Sequence, residues 1–226
     1  MLREIDLSKM TDNRLYKEND EVIVPCDSCA GCSECCRTVG DTIILDPLDI
    51  YNLNIATGRS FAEMMEREIE IRLVDGLVLP NIMMDEGSGG CTLLDENGRC
   101  TIHKLRPGFC RLFPLGRLYD ENGDFRYILQ VNECDHPVKG PVRVSDWLGI
   151  TELNRYEGFI KEWHAVLKSL TEKADQTDDE KIKKHLSWLP VRVFYEPPYD
   201  KKADFYGQFH DRLKVLNSGL KSAGII

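Results

Sequence analysis

Crowding of cysteines near the N-terminus constrains this chain more than any other feature of its sequence. Five of the nine cysteines in 226 residues lie between Cys26 and Cys36, in the segment CDSCAGCSECCR. Small residues such as Ala30 and Gly31 stand between the thiols, so the segment brings too little apolar surface to build a strand or helix that packs on a core. We predict a tight loop that wraps around a metal and continues into a turn of helix.

The spacing of these thiols favours metal binding over disulfide formation. Four of them recur at every third position, which lets neighbouring sulfurs converge on one centre. These four are Cys26, Cys29, Cys32 and Cys35. A disulfide knot would require export, yet the first residues, MLREIDLSKM, carry charges and lack the apolar stretch of a secretory signal. We therefore expect a cytoplasmic, reducing location, where such a group chelates metal.

Cys36 directly follows Cys35, and this adjacency adds a geometric constraint. In an extended segment, neighbouring side chains point to opposite sides, so two such sulfurs do not easily bind one mononuclear ion. The pair could serve two centres, two irons of one cluster, or one ligand and one free redox thiol. A vicinal disulfide is the alternative.

A second, dispersed group of cysteines could supply further ligands. It comprises Cys91, Cys100, Cys110 and Cys134. A tetrathiolate site needs four thiols, so nine provide two sites and one spare, and each site can draw on one group or on both. His103 and His136 lie close to cysteines in the sequence and could substitute for one, although a surface or structural role is the more common one for such a histidine.

The spacing also bears on the identity of the metal. The run C-x2-C-x2-C resembles the ligand run of ferredoxin-type iron–sulfur proteins, whereas zinc sites more often use two separated CxxC pairs. The second cysteine group contains no CxxC pair. We therefore favour an iron–sulfur cluster as the cofactor and keep zinc as the alternative.

Basic residues are concentrated beside the second cysteine group. Between Asn97 and Leu118 the chain has five basic residues and no acid, although its net charge is −9. They are Arg99, Lys104, Arg106, Arg111 and Arg117. Guanidinium groups would offset the negative charge of a thiolate-bound centre and lower thiol pKa values, and we predict that Arg106 and Arg111 bind the cofactor in this way. A solvated basic face and a docking patch for an anionic substrate are the alternatives.

Hydrophobic patterning predicts an α+β fold, in which a small cysteine-rich metal-binding portion with short β-hairpins precedes a helical portion. Asp46 is expected to cap a helix rather than to act in catalysis. A capping box at Ser60, followed by an apolar stripe, predicts a helix over 60–73. The Asn-Gly pairs at 97–98 and 122–123 predict two hairpins.

The C-terminal third is predicted to be helical. Apolar residues at helical spacing indicate amphipathic helices over 151–174 and 204–220. We place a cysteine-cluster metal-binding domain at 22–145 and a helical extension, packed on it, at 146–226. Packing roles are expected for the three tryptophans, Trp147, Trp163 and Trp188.

Composition limits the classes of partner. An acidic chain lacks the basic footprint that binds nucleic acid, and no apolar run of roughly 18 residues is present to span a membrane. We expect an unidentified protein partner or substrate, and no nucleic acid or membrane.

Four linked motifs carry a resemblance to a known family. They read Cys29-x2-Cys32-x2-Cys35-Cys36-Arg37, Gly90-Cys91-Thr92-Leu93-Leu94-Asp95, Gly98-Arg99-Cys100-Thr101-Ile102-His103 and Arg106-Pro107-x2-Cys110-Arg111-x-Phe113-Pro114. In this order, over roughly residues 22–140, the chain resembles the CxxCxxCC cysteine-cluster family, a zinc- or iron-chelating domain of the YkgJ type. The resemblance implies that these cysteines chelate metal. Cys26 lies outside the family run and is therefore the spare thiol, and the segment from Cys134, CDHPVKG, departs from the family's C-P-G-x-G-x-G.

The resemblance leaves the biochemical role open. Some members are described as flagellin lysine N-methylases that use S-adenosylmethionine, yet this chain has no G-x-G-x-x-G after a predicted strand. We expect an iron–sulfur protein with a redox or cluster-dependent role, of which protein lysine methylation is one case. The alternatives are a zinc-stabilised structural or interaction module and a metal carrier without catalysis. Whether the protein is an enzyme stays open.

Overall fold

The computed structural model describes residues 7–24, 32–38, 42–134, 136 and 140–225, and these form the predicted α+β fold. The helices are α1 (Leu7–Met10), α2 (Cys35–Thr38), α3 (Pro47–Thr57), α4 (Phe61–Met64), α5 (Gly108–Leu112), α6 (Val144–Leu148), α7 (Leu153–Asp175), α8 (Glu180–Pro190) and α9 (Phe205–Ser222). A 3-10 turn covers His103–Leu105, and a π-helical segment covers Val191–Tyr195. The strands are β1 (Glu21–Ile23), β2 (Ile69–Val74), β3 (Leu77–Ile82), β4 (Leu115–Tyr119), β5 (Phe125–Leu129) and β6 (Pro141–Arg143).

The strands form three antiparallel pairs, β1 with β6, β2 with β3, and β4 with β5. The β2–β3 register places Val74 opposite Leu77. Asp75 and Gly76 between them have φ of 48° and 81°, the left-handed conformation that a two-residue hairpin turn requires. The pair β1–β6 joins the segment before the first cysteine group to the segment after Cys134.

The predicted helix over 60–73 is wrong beyond its first turn. Its capping box forms, with Ser60 and Glu63 each bonding the other's backbone N–H, but α4 ends at Met64. The following residues form β2, because IEIRLV alternates apolar and charged side chains at strand period and leads into the Asp-Gly turn. Leu73, assigned to the apolar stripe of that helix, is therefore 73% exposed.

The two predicted hairpins have different outcomes. The second is confirmed as β4–β5, with Tyr119 paired to Phe125. The first is reduced to a turn closed by one bridge between Leu94 and Cys100. The Asp95 carboxylate accepts hydrogen bonds from the backbone N–H groups of residues 97 and 99, which satisfies the turn without a longer ladder.

The C-terminal helices enclose an aromatic core. Phe159 and Trp163 of α7 face Phe209 of α9 and Phe194 of the π segment, with ring centroids 4.8 Å apart for Phe159–Phe209 and 5.0 Å for Trp163–Phe194. Trp163 is 5% exposed, as a packing role requires. Within the described helices, none is long and apolar enough to cross a membrane.

Hydrogen bonds also join the helical portion to the cysteine-rich portion. The Tyr195 hydroxyl donates to the carbonyl of Leu45 at 2.8 Å, and the Tyr127 hydroxyl donates to Glu157 at 2.6 Å. The buried apolar side chains of both portions form one continuous cluster. The division into domains at 145 and 146 stays a prediction.

Candidate metal centre

The first cysteine group leads into α2, a single helical turn that begins at Cys35. Its end is tied to the second group, because the backbone N–H of Cys91 donates to the carbonyl of Cys36 at 2.8 Å. The Arg37 side chain lies against Gly90, where an added Cβ would stand 3.3 Å from Nη1. A larger residue at this position would require the Arg37 side chain to shift.

The second group is held by short bridges and by a helix. Cys91 bridges Met84, and Cys100 bridges Leu94. Cys110 lies in the middle of α5, whose first backbone N–H, that of Gly108, donates to the Asp49 carboxylate at 2.8 Å. The capping residues of α3 thus fix the start of the helix that carries Cys110.

Four thiols from the two groups are electrostatic neighbours. The pKa of the Cys91 thiol is raised to about 11, chiefly by burial and also by the charges of Cys100 and Cys35. Burial also raises the pKa of Cys110, with Asp49 and the thiols of Cys91, Cys100 and Cys35 acting in the same direction. Thiols at positions 35, 91, 100 and 110 therefore share one region, which draws on both groups.

Cys35 and Cys36 are both free thiols within hydrogen-bonding reach of each other. A hydrogen bond from the Cys35 S–H to the Cys36 sulfur is the largest cause of the raised pKa of Cys35, followed by burial, while the charge of Arg106 lowers this pKa. The adjacent pair thus borders the four-thiol region, and no vicinal disulfide joins it.

Burial and neighbouring thiols disfavour the bare thiolates of Cys35, Cys91 and Cys110, as their raised pKa values indicate. A bound cation would replace the thiol protons and invert the electrostatic balance. The arrangement can thus bind a cation and is unfavourable for bare thiolates.

Two of the predicted basic residues lie together near the thiols. The charge of Arg106 acts on Cys35, and Arg111 interacts electrostatically with Cys110 while its guanidinium donates to the carbonyls of Lys104 and Arg106. Arg117 lies elsewhere, donating to the Tyr156 hydroxyl at 2.9 Å. Binding of a cofactor by Arg106 and Arg111 stays a prediction.

A second group of donor atoms brings together Cys32, Glu34 and His136, whose ligand atoms all lie within 4.8 Å of one another. His136 Nε2 lies 2.9 Å from the Cys32 sulfur and 3.6 Å from a Glu34 oxygen. Sequence reasoning named Cys32 but missed Glu34, and it favoured a surface or structural role for His136. The available signals were a carboxylate two residues after Cys32 and a histidine in the segment that departs from the family pattern.

The remaining predicted ligands are not assigned. Cys26 and Cys29 lie outside the described residues. Cys134 is half-buried, and the interactions found between described thiols do not include it.

Comparison with known proteins agrees with a chelating role. The family model called CxxCxxCC, described as a "putative zinc- or iron-chelating domain", matches residues 28–134. No curated protein matches the chain, and no solved structure matches it. The matched range contains the four neighbouring thiols as well as Cys32 and Glu34, and it ends at Cys134. The predicted resemblance is thus confirmed: over residues 28–134 this chain is similar to the CxxCxxCC family of zinc- or iron-chelating domains.

Proposed function

We propose that this protein is a metal-binding protein in which Cys35, Cys91, Cys100 and Cys110 hold an iron–sulfur cluster. The observation that supports the proposal is that one thiol from the first cysteine group and three from the second are near enough to influence one another electrostatically. Nothing in local sequence brings residues 75 positions apart together, so the fold itself collects these thiols. Four cysteine thiolates are the usual ligand set of both iron–sulfur clusters and structural zinc.

The spacing of the cysteines along the chain favours a cluster over a single zinc ion. The run Cys29-x2-Cys32-x2-Cys35 resembles the ligand run of ferredoxin-type iron–sulfur proteins. Zinc sites more often use two separated CxxC pairs, and the second cysteine group contains none.

The surroundings also suit an anionic centre. Arg106 is a positive charge beside Cys35 that would offset the negative charge of such a centre. An iron–sulfur centre would give the protein a redox or cluster-dependent role, of which protein lysine methylation, described for some members of the family, is one case.

Anaerobic purification, followed by an absorption spectrum and by assays of iron, acid-labile sulfide and zinc per chain, tests the proposal. We expect iron with matching sulfide. Cys110→Ser and Cys91→Ser should lose both, because each removes a ligand. Thr92→Val is the matched control, since it removes only a hydrogen bond to the carbonyl of Met83 beside the site.

Zinc without sulfide would overturn the cluster and make a structural or carrier role the leading account. Wild-type iron and sulfide in either serine variant would remove that cysteine from the ligand set. Cys134→Ser should keep the cluster, and its loss there would add Cys134 to the ligands.

A further inference from the structure

We propose that Cys32, Glu34 and His136 form a second metal site, distinct from the four-thiol centre, which binds a single divalent cation of the zinc type. This inference deepens the proposed metal-binding function. It rests on that function only in assuming that the cysteine segment binds metal. It rests on a convergence of three unlike donor atoms from two segments that lie about a hundred residues apart in the chain.

The geometry centres on one nitrogen. The Cys32 sulfur and a Glu34 oxygen both approach Nε2 of His136, at 2.9 and 3.6 Å. The backbone N–H of Glu34 lies 3.5 Å from the same sulfur and turns the chain so that both side chains face the histidine. A cation placed among the three atoms would meet sulfur, oxygen and nitrogen together.

This arrangement differs from that of a catalytic cysteine–histidine pair. In a nucleophile triad the acid bonds the ring nitrogen opposite the one that faces the nucleophile. Here the thiol and the carboxylate share one nitrogen, so the carboxylate cannot orient the ring for proton transfer to and from the thiol. Convergence on one atom is instead what ligands of one ion require.

The donor set selects the class of cation. Thiolate, imidazole and carboxylate are the three ligand types of zinc, whereas magnesium and calcium prefer oxygen ligands alone. One thiolate and one carboxylate balance a divalent ion completely, while four thiolates around zinc leave a charge of −2.

Exposure indicates an open site. The side chain of Glu34 is 70% exposed and that of His136 is 32% exposed, so solvent reaches the donor atoms. Three protein ligands leave a position of a tetrahedral ion for water, as in catalytic zinc sites and unlike closed structural ones.

Cobalt(II) titration of the purified full chain, followed by absorption in the d–d region and by metal analysis, tests the site. We expect the wild type to bind one tetrahedral cobalt that zinc displaces. His136→Asn should weaken this binding by about 100-fold or more, since even the loss of a residue outside the ligand shell costs 10- to 100-fold. Glu34→Gln should weaken it in the same direction.

The chain offers matched controls for both variants. His210 lies 3.0 Å from a Glu162 oxygen, in an exposed histidine–carboxylate pair without a thiol. His210→Asn and Glu162→Gln should leave cobalt binding unchanged. Circular dichroism of each variant separates loss of a ligand from loss of fold.

Two comparisons separate this inference from the proposed function. Cys110→Ser should lose iron and sulfide but retain the cobalt site, whereas His136→Asn should do the reverse. Unchanged cobalt affinity and spectrum in a folded His136→Asn variant would overturn the second site. Loss of cobalt binding in Cys110→Ser would show a single centre and would also overturn it.

Discussion

At the scale of single residues, Gly108 controls the contact between the cysteine-rich portion and α7. Its backbone N–H donates to Asp49 at the start of the helix that carries Cys110. A Cβ at this position would overlap the hydroxyl of Tyr156, which is 2% exposed and accepts a hydrogen bond from Arg117. The glycine is therefore required by close packing.

Gly108→Ala is expected to lower the free energy of unfolding by about 1–3 kcal/mol, because the buried Tyr156 ring must move to make room for the added methyl group. Urea unfolding measures the change. Gly158→Ala is the matched control, since no atom lies within 4 Å of the added Cβ in the interior of α7. It should stabilise the protein by roughly 0.5–1 kcal/mol, as alanine does in a helix. Equal stability of Gly108→Ala and the wild type would contradict the packing argument.

At the scale of elements, two helices begin at aspartates in opposite environments. Asp46 caps α3 and is 9% exposed, and burial followed by the charge of Asp49 raises its pKa. Asp204 caps α9 at the surface, where the backbone N–H of Gly207 and then Arg155 lower its pKa. The two capping aspartates therefore contribute to stability with opposite dependence on pH.

Asp46→Asn should stabilise the protein increasingly as pH rises. With a raised folded pKa, native Asp46 binds more protons than the unfolded chain above about pH 4, so the wild type loses stability as pH increases through that window. Asparagine keeps the cap and carries no charge. The difference in Tm between variant and wild type, measured from pH 4 to 8, should grow with pH.

Asp204→Asn should change stability with the opposite dependence on pH. The lowered pKa of Asp204 gives stability that is present above its ordinary pKa and is lost in acid, so the variant should be less stable near neutral pH and approach the wild type as pH falls. For Asp46→Asn, a Tm difference from wild type that stayed constant from pH 4 to 8 would contradict the claim that burial disfavours the ionised Asp46 carboxylate.

At the scale of the whole molecule, the cysteine-rich portion depends on the helical portion for part of its core. Arg117 and Tyr127 find their side-chain partners, Tyr156 and Glu157, on α7. The carbonyl of Leu45 accepts a hydrogen bond from the hydroxyl of Tyr195 in the π segment. Removing the C-terminal helices would expose these groups together with the apolar cluster around them.

A chain ending at residue 145 is therefore expected to lack a cooperative unfolding transition, even when metal is supplied. Circular dichroism and thermal melts measure this. A chain that ends at residue 222, where α9 ends, should fold like the full protein and is the control. A folded, metal-loaded fragment ending at 145 would instead establish the predicted domain at 22–145 as an independent unit.

Local signals in the sequence predicted the helix starts better than the extents of the elements. The caps at Asp46 and Ser60 form as predicted, because a capping side chain bonds backbone groups only three residues away. The helix expected over 60–73 failed because its apolar residues fit the helical period and the strand period alike over so short a stretch. Pairing with β3, a tertiary contact, decided for the strand.

The sequence by itself determined the resemblance to a zinc- or iron-chelating domain and the prediction of cysteine ligands, since thiol number and spacing are properties of the chain alone. Only the tertiary structure decided which thiols meet, placing Cys35 with Cys91, Cys100 and Cys110 and leaving Cys32 beside His136. The reason is physical: ligands from distant segments converge through packing and backbone hydrogen bonds, such as those that fix α2 and α5, and spacing along the chain carries no information about that convergence.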